Sequence, residues 1–309
     1  MVRAVFFEQY GGVDVLQVGE VPEQVVGPDS VVVRVAGAGL NPVDWKVREG
    51  KLVGRLQHLL PVVPCWDVAG TVEAVGPAVT ELAPGDRVFG YARLDVVQHG
   101  TATELAVLPL RTLAKAPASI DLVTAAAVPL AGLTAYQLVV GALAARPGDV
   151  VLVHAAAGGV GQFAVQLAVA AGARVLGTCS AGNDEHLRSL GAEPVRYGDG
   201  LADRVRALAP GGVDVVVDLV GGDALAVSDT VLAPSARIGS VTDAEAVLSR
   251  GGHYVFVRPS TEDLDELARR IDGGELRVDV AATFPLERAA EAFALLEGGH
   301  VRGKVVLTT

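Results

Sequence analysis

Cysteine is nearly absent from this chain. Its 309 residues hold two, Cys65 and Cys179, far apart in sequence. Two isolated thiols exclude a four-ligand structural zinc site and argue against a disulfide framework. Long apolar runs are missing too. No stretch reaches the ~18–20 uninterrupted apolar residues that a membrane span needs. The first residues, Met1-Val2-Arg3-Ala4-Val5-Phe6-Phe7-Glu8, turn charged too soon for a signal peptide. A cytoplasmic protein without a membrane segment is therefore expected. Positive charge is also in deficit: 25 Lys and Arg against 36 Asp and Glu give a net charge of −11. That balance argues against nucleic-acid phosphates as the main partner. With 50% hydrophobic and 20% charged residues, disorder is excluded, and the length allows two domains with real cores.

What is present starts with glycine. The segment Ala155-Ala156-Ala157-Gly158-Gly159-Val160-Gly161 follows the apolar run Val150-Val151-Leu152-Val153-His154 and precedes Gln162-Phe163-Ala164-Val165-Gln166-Leu167-Ala168. The pattern predicts a buried strand, a small-residue turn and a helix. Such a turn lets the backbone approach a pyrophosphate, and the helix start adds unpaired N–H groups and a positive dipole end. A dinucleotide, and with it redox chemistry, follows. The spacing is A-x-x-G-G-x-G rather than G-x-G-x-x-G. Taken alone it also fits a plain tight turn.

The first third reads as β-rich. Val31-Val32-Val33-Arg34-Val35, Gly70-Thr71-Val72-Glu73-Ala74-Val75 and Asp86-Arg87-Val88-Phe89-Gly90 are short strands, punctuated by Gly27-Pro28-Asp29, Gly76-Pro77 and Pro84-Gly85-Asp86. An antiparallel, barrel-like domain is expected. From about residue 120 helices alternate with strands. Helices are predicted from 121 and over 133–145, 160–171, 184–190, 261–272 and 287–297. Strands are predicted over 150–154, 174–178, 213–219 and 236–241, with a last one at 304–307. That alternation predicts a doubly wound parallel sheet of the Rossmann type, an α/β fold overall.

Further stretches carry a family likeness: Leu40-Asn41-Pro42-Val43-Asp44-Trp45-Lys46, Trp66-Asp67-Val68-Ala69-Gly70, Pro84-Gly85-Asp86-Arg87-Val88, Pro129-Leu130-Ala131-Gly132-Leu133-Thr134-Ala135 and Gly303-Lys304-Val305-Val306-Leu307. Together and in this order, over almost the whole chain, they resemble the zinc-free quinone oxidoreductase branch of the medium-chain dehydrogenase/reductase superfamily. The resemblance implies a GroES-like β-barrel substrate domain over 1–120 and 275–309. It implies an NADP-binding Rossmann domain over 121–274, a cofactor between the two, and a homodimer. Zinc members carry a Cys near the Asn41 position and a His-Glu pair near Trp66-Asp67; both the Cys and the His are missing here. Asp67, His58 and His99 do not make a ligand set, so no metal is expected. Without a Lewis acid, alcohol oxidation is disfavoured, and reduction of a quinone or enone is expected instead.

The second strand ends Gly177-Thr178-Cys179-Ser180-Ala181-Gly182-Asn183 with no carboxylate at its tip. An acid there would bind the ribose 2′-OH of NAD; its absence favours NADPH over NADH. Ser180 and Asn183 offer hydrogen bonds to a 2′-phosphate, and relatives add a tyrosine at the Tyr197 position. Relatives also place Arg or Lys where this chain has Gly182. The other reading is a glycine turn before a helix cap at Asn183. By resemblance Thr134, Ala157, Gly158, Gly159, Val160, Gly161, Thr178, Leu219, Val220, Val241, Phe256, Val257 and Lys304 also border the cofactor. Phe256 reads equally as a buried strand aromatic, and Lys304 as a solvated lysine before an edge strand.

For catalysis, the resemblance implies that Asn41 donates its amide to the substrate oxygen; the other reading is an Asn that stabilises the turn before Pro42. Lys46 offers a proton or a charge, or is a surface lysine. Trp45 and Trp66 line the substrate pocket or fill the core. Some enoyl reductases of the superfamily use a Tyr shortly after the Gly50 position; Lys51 follows Gly50 here, and no Tyr occurs between Tyr10 and Tyr91. Two alternatives remain open: an enoyl-thioester reductase of fatty-acid or polyketide metabolism, and a non-catalytic NADPH-binding sensor or structural protein.

Overall fold

Strand Ser30–Leu40 is the spine of the N-terminal part. It pairs antiparallel with Asp67–Val75, Leu105–Pro109 and Lys304–Thr308. The path across this seven-stranded sheet runs Val280–Pro285, Lys304–Thr308, Ser30–Leu40, Asp67–Val75, Arg87–Tyr91, Leu113–Lys115, with Leu105–Pro109 on a branch. A register shift between Val35 and Gly37 reverses the in–out alternation. Val31, Val33 and Val35 therefore join one core with Val68, Val88 and Leu113, while Ala38 and Leu40 join another with Val5, Phe293, Val305 and Leu307.

The computed structural model describes all 309 residues. It comprises two units: Met1–Leu130, Arg258–Gly274 and Val278–Thr309 in the first, Ala131–Val257 and Glu275–Arg277 in the second. The expected division differs from this at three places, residues 121–130, 258–274 and 275–277. Residues 121–130 and helix Thr261–Asp272 pack in the first unit rather than with the dinucleotide-type sheet. The helix is fastened by its last residue: Asp272 accepts hydrogen bonds from the N–H groups of Ala118 and Ser119 at 3.1 and 2.8 Å.

The second unit is built on six parallel strands in the order Ala192–Arg196, Arg174–Cys179, Val150–Val153, Val213–Asp218, Leu232–Ser240, His253–Tyr254. Its central strands are apolar on both faces, as a sheet covered by helices requires: Val151, Leu152, Val153 and Val215, Val216, Val217 are all buried. In chain order the sheet reads 3-2-1-4-5-6. The winding reverses between Val150–Val153 and Val213–Asp218, and ligands of such sheets bind beyond the strand C-termini at that point. The helix expected over 133–145 begins four residues earlier and ends three residues earlier. An α-helix Pro129–Tyr136 widens into a π-helical turn Gln137–Ala142 and stops there.

Candidate active site

At the switch point, Ala155 has φ of +50°, a left-handed conformation that costs a non-glycine residue roughly 1–2 kcal/mol. Thr178 holds the turn in place. Its Oγ1 accepts from the Ala155 N–H at 3.0 Å, and its carbonyl accepts from the Ala156 N–H at 3.0 Å. Helix Gly159–Ala170 starts directly afterwards with Gly158 as its N-cap. Gly161 is fixed by space: a Cβ there would lie 2.3 Å from the Ala155 carbonyl oxygen and 2.6 Å from that of Ala156. Ala157 is buried, whereas Gly158, Gly159 and Val160 stay half-exposed over the first helical turn, whose N–H groups have no partner inside the helix.

The neighbouring strand ends in a second polar corner. Ser180 is half-buried; its Oγ accepts from Asn183 Nδ2 at 3.0 Å. Asn183 occupies the N-cap position of helix Asp184–Ser189, yet its side chain does not cap that helix. A residue absent from the sequence-based set completes the corner. Arg196 lies opposite Cys179 in the parallel ladder, and its guanidinium donates to the Ser180 carbonyl and to the Asp184 carboxylate. Tyr197, next along, is 57% exposed. Arg196 thus brings a guanidinium from the next strand to this corner, already paired with Asp184. Burial pushes the adjacent Cys179 thiol up to about 11, which keeps it unreactive at neutral pH.

Asp218 organises the other side of the switch point. Its Oδ1 accepts from the N–H groups of Val220 and Gly221 at 3.0 and 2.9 Å, and its Oδ2 from the Ser240 hydroxyl at 2.6 Å. The Asp218 carbonyl takes the Val241 N–H at 3.3 Å. Leu219, Val220 and Val241 are therefore brought together at adjoining strand ends. Phe256 and Val257 lie just past strand His253–Tyr254. Phe256 is 56% exposed, which overturns its reading as a buried strand aromatic: the strand ends two residues earlier. Thr134 is buried in helix Pro129–Tyr136.

The first unit holds a buried polar cluster. Asn41, at the end of Ser30–Leu40, donates its amide to Asp67 Oδ2 at 2.8 Å and, more weakly, to the Gly39 carbonyl at 3.4 Å. Its side-chain oxygen accepts from Lys304, whose ammonium also donates to the Leu40 carbonyl at 2.8 Å. This corrects two expectations. Asn41 is no free donor, because a substrate oxygen would have to compete with the Asp67 carboxylate. Lys304 is not solvated: it is 4% exposed and begins an interior strand flanked by Val280–Pro285 and Ser30–Leu40. Asp44 accepts from the Asn41 N–H at 2.7 Å and caps helix Pro42–Arg48. Burial, reinforced by the nearby Asp67 charge, pushes the Asp44 carboxyl up to about 7 against the opposing Asn41 hydrogen bond. Burial also raises Asp67, opposed by Lys304 and Asn41.

Trp45 is half-buried, with the ammonium groups of Lys46 and Lys51 at 5.6 and 4.5 Å from its ring centre. Trp66 is buried edge-on against Tyr91, ring centres 6.3 Å apart. No three His, Cys, Asp or Glu side chains gather in a way that would hold a metal ion.

Comparison with known proteins agrees with this layout. The alcohol dehydrogenase GroES-like domain matches residues 27–118, and the zinc-binding dehydrogenase family matches residues 190–307. The chain is 36% identical to an NADPH-dependent alkenal/one oxidoreductase of Arabidopsis thaliana, over 99% of this chain and 79% of that one. It is 35% identical to a quinone oxidoreductase of Pseudomonas aeruginosa over 99% of both chains. The chain belongs to the medium-chain dehydrogenase/reductase superfamily, in its quinone oxidoreductase-like branch. The solved quinone oxidoreductase from Coxiella burnetii superposes with a TM-score of 0.89, at 32% identity over 100% of this chain and 99% of that one. As a medium-chain enzyme the protein is an oxidoreductase working with a nicotinamide cofactor. Its two halves are the GroES-like and Rossmann-type parts of that fold.

Proposed function

We propose that this medium-chain enzyme reduces a quinone or an α,β-unsaturated carbonyl compound with NADPH and without zinc. Arg196 at the Ser180 corner carries the cofactor part of the reading. The strand tip itself bears no acid, and the Arg196 guanidinium, held there by the Ser180 carbonyl and the Asp184 carboxylate, suits a 2′-phosphate only by sharing itself with Asp184. The glycine turn suits the pyrophosphate: Ala155 to Gly159 present no side chain larger than methyl, and the helix start supplies the N–H groups. Ala157 to Gly161, Thr178, Ser180, Asn183, Tyr197, Leu219, Val220, Val241, Thr134, Phe256 and Val257 form the proposed binding set. When bound, the dinucleotide supplies a hydride to the acceptor. In the first unit we assign Asn41 and Lys304 to the reacting end of the cofactor, as an anchored pair. Lys46 offers charge at the substrate loop, and Trp45 and Trp66 supply flat apolar walls.

The zinc-free part rests on donor chemistry. Asn41 and Trp66 stand where zinc relatives carry Cys and His, and Lys304 sets a fixed positive charge beside Asn41. Without a metal to acidify an alcohol, an acceptor that is already electrophilic is the suitable partner. A cytoplasmic setting belongs to the same reading: Cys65 and Cys179 are both free and buried, as a reducing compartment allows. No helix is long and apolar enough to cross a membrane. A homodimer belongs to it too, since strand His253–Tyr254 ends the parallel sheet with one side unpaired.

A second reading, enoyl-thioester reduction, is favoured by Tyr10. The loop after Gly50 contains no tyrosine, but the Tyr10 ring packs directly against Gly50 and is 37% exposed. NADPH oxidation with a quinone panel, an enone panel and a crotonyl thioester separates the readings. Turnover is expected with quinones or enones; preference for the thioester would select the second reading. Tight NADPH binding with no turnover on any acceptor would leave a non-catalytic sensor. Stoichiometric zinc by elemental analysis, or NADH binding as tight as NADPH, would remove the corresponding parts of the proposal.

A further inference from the structure

The edge strand Ala192–Arg196 runs out into a turn with two left-handed glycines, Gly198 and Gly200, at φ of +85° and +75°. Glycine permits such a turn without fixing it. One side chain fixes it. Arg204, in helix Leu201–Leu208, folds its guanidinium back over the turn. Its Nε and Nη2 both donate to the Arg196 carbonyl, at 3.0 and 2.8 Å. Nη2 also reaches the carbonyls of Tyr197 and Gly198, at 3.4 and 3.3 Å. The helix that carries the fork is itself anchored, because Leu201 and Val205 are buried in one core with Val195 and Leu176. The path of the chain leaving the strand is therefore set by where the Arg204 fork stands.

That stretch carries donors with hydrogens to spare. Arg196 Nη1 donates to the Ser180 carbonyl and lies 3.8 Å from Cys179 Sγ, and Nη2 donates to Asp184. The Arg196 Nε–H and the second Nη2 hydrogen meet no acceptor in the protein. The Ser180 hydroxyl accepts from Asn183 and keeps its own hydrogen. Tyr197 is exposed. Unspent donors at one strand end suit a group built of acceptor oxygens. All of these residues belong to the second unit.

We propose that Arg204 is a positioning residue for cofactor choice: by holding the carbonyls of residues 196–198 it sets Arg196 and Tyr197 for the 2′-phosphate of NADPH, and so governs the preference over NADH. The proposal rests on the reading that this corner takes the 2′-phosphate. Arg204 acts through Arg196 and Tyr197.

Arg204→Lys and Arg204→Met are compared with the wild type as full-length proteins, by Tm and by fluorescence titration with NADPH and with NADH. The lysine keeps the charge and loses the fork; the methionine loses both and keeps an apolar stem. The two dinucleotides differ only in the 2′-phosphate, so a purely structural role would move both affinities together. Both variants should bind NADPH at least fivefold more weakly and NADH within twofold of the wild type. Arg196→Met is the reference, because it removes the group that Arg204 sets in place. Should the Arg204 variants fail to fold, Arg204→Gln, which keeps one donor for the Arg196 carbonyl, is expected to show the same selective loss. Where Arg196→Met loses selectivity for NADPH, three results overturn the proposal alone. One is a loss of NADPH affinity below fivefold in the folded Arg204 variants. Another is a matching loss for NADH. The third is an Arg204→Lys protein that binds NADPH like the wild type while Arg204→Met does not, which would make the effect one of charge and not of position. An Arg196→Met protein with the wild-type ratio of NADPH to NADH affinity overturns the reading beneath, and the proposal with it.

Discussion

Asp44 has burial on every side and no cation of its own. Its carboxyl, pushed up from 3.8 to about 7, prefers its proton in the folded chain. The stability it contributes is fully present below its unfolded value of about 4 and is lost as pH rises through about 7. Asp67, also raised, works in the same direction. Wild-type Tm should therefore fall between pH 5 and pH 8, and Asp44→Asn, which still accepts the Asn41 N–H, should flatten that fall. Parallel Tm curves for the two proteins would show that Asp44 does not titrate there. Arg196 gives a second test at the same scale. Arg196→Met should weaken NADPH binding by about tenfold, roughly 1.4 kcal/mol, and leave NADH binding within twofold. Equal losses for both dinucleotides would separate Arg196 from the 2′-phosphate. Ser180, Asn183 and the glycine turn were legible in the sequence because each lies next to the strand that presents it. Arg196 was not, since its role comes from a ladder partner, Cys179, seventeen residues earlier.

That ladder partner was hidden for a reason belonging to the element. Strand Ala192–Arg196 contains Pro194, which normally argues against a strand. It forms nonetheless because it is the edge of the six-stranded sheet, where a missing N–H need not be paired. The interior strands at 150–153 and 213–218 read correctly from β-branched runs alone. Helix Thr261–Asp272 was legible in its limits, with Ser260 capping through the Asp263 N–H at 3.2 Å. Its amphipathic pattern says only that one face is buried, not which unit buries it. The glycine-turn helix makes the sharpest prediction of this kind. Gly161→Ala would drive a methyl to 2.3 Å from the Ala155 oxygen, so the turn must move. We expect a loss of roughly 1–3 kcal/mol and at least tenfold weaker NADPH binding, read by calorimetry and fluorescence titration. Unchanged affinity would mean that the turn does not hold the cofactor.

At the level of the molecule, the sheet edge His253–Tyr254 predicts assembly. Light scattering after gel filtration should give twice the 31.7 kDa chain mass; a monomer at micromolar concentration would remove the dimer from the proposed function. The order of the two units along the chain has a further consequence, for synthesis. Apart from residues 275–277, the second unit is one continuous stretch, 131–257. The first unit is not: Lys304–Thr308 lies between Val280–Pro285 and Ser30–Leu40 in its sheet. During translation, at about 5–20 residues per second, the Rossmann-type unit can collapse as it emerges. The N-terminal half must meanwhile wait with an open sheet edge until Lys304–Thr308 emerges. Lys304 reaches Asn41 only once that strand emerges, so a ribosome stalled before residue 304 leaves Asn41 and Asp67 without their cation. Such a nascent chain needs protection at its N-terminal end rather than at the end still being made.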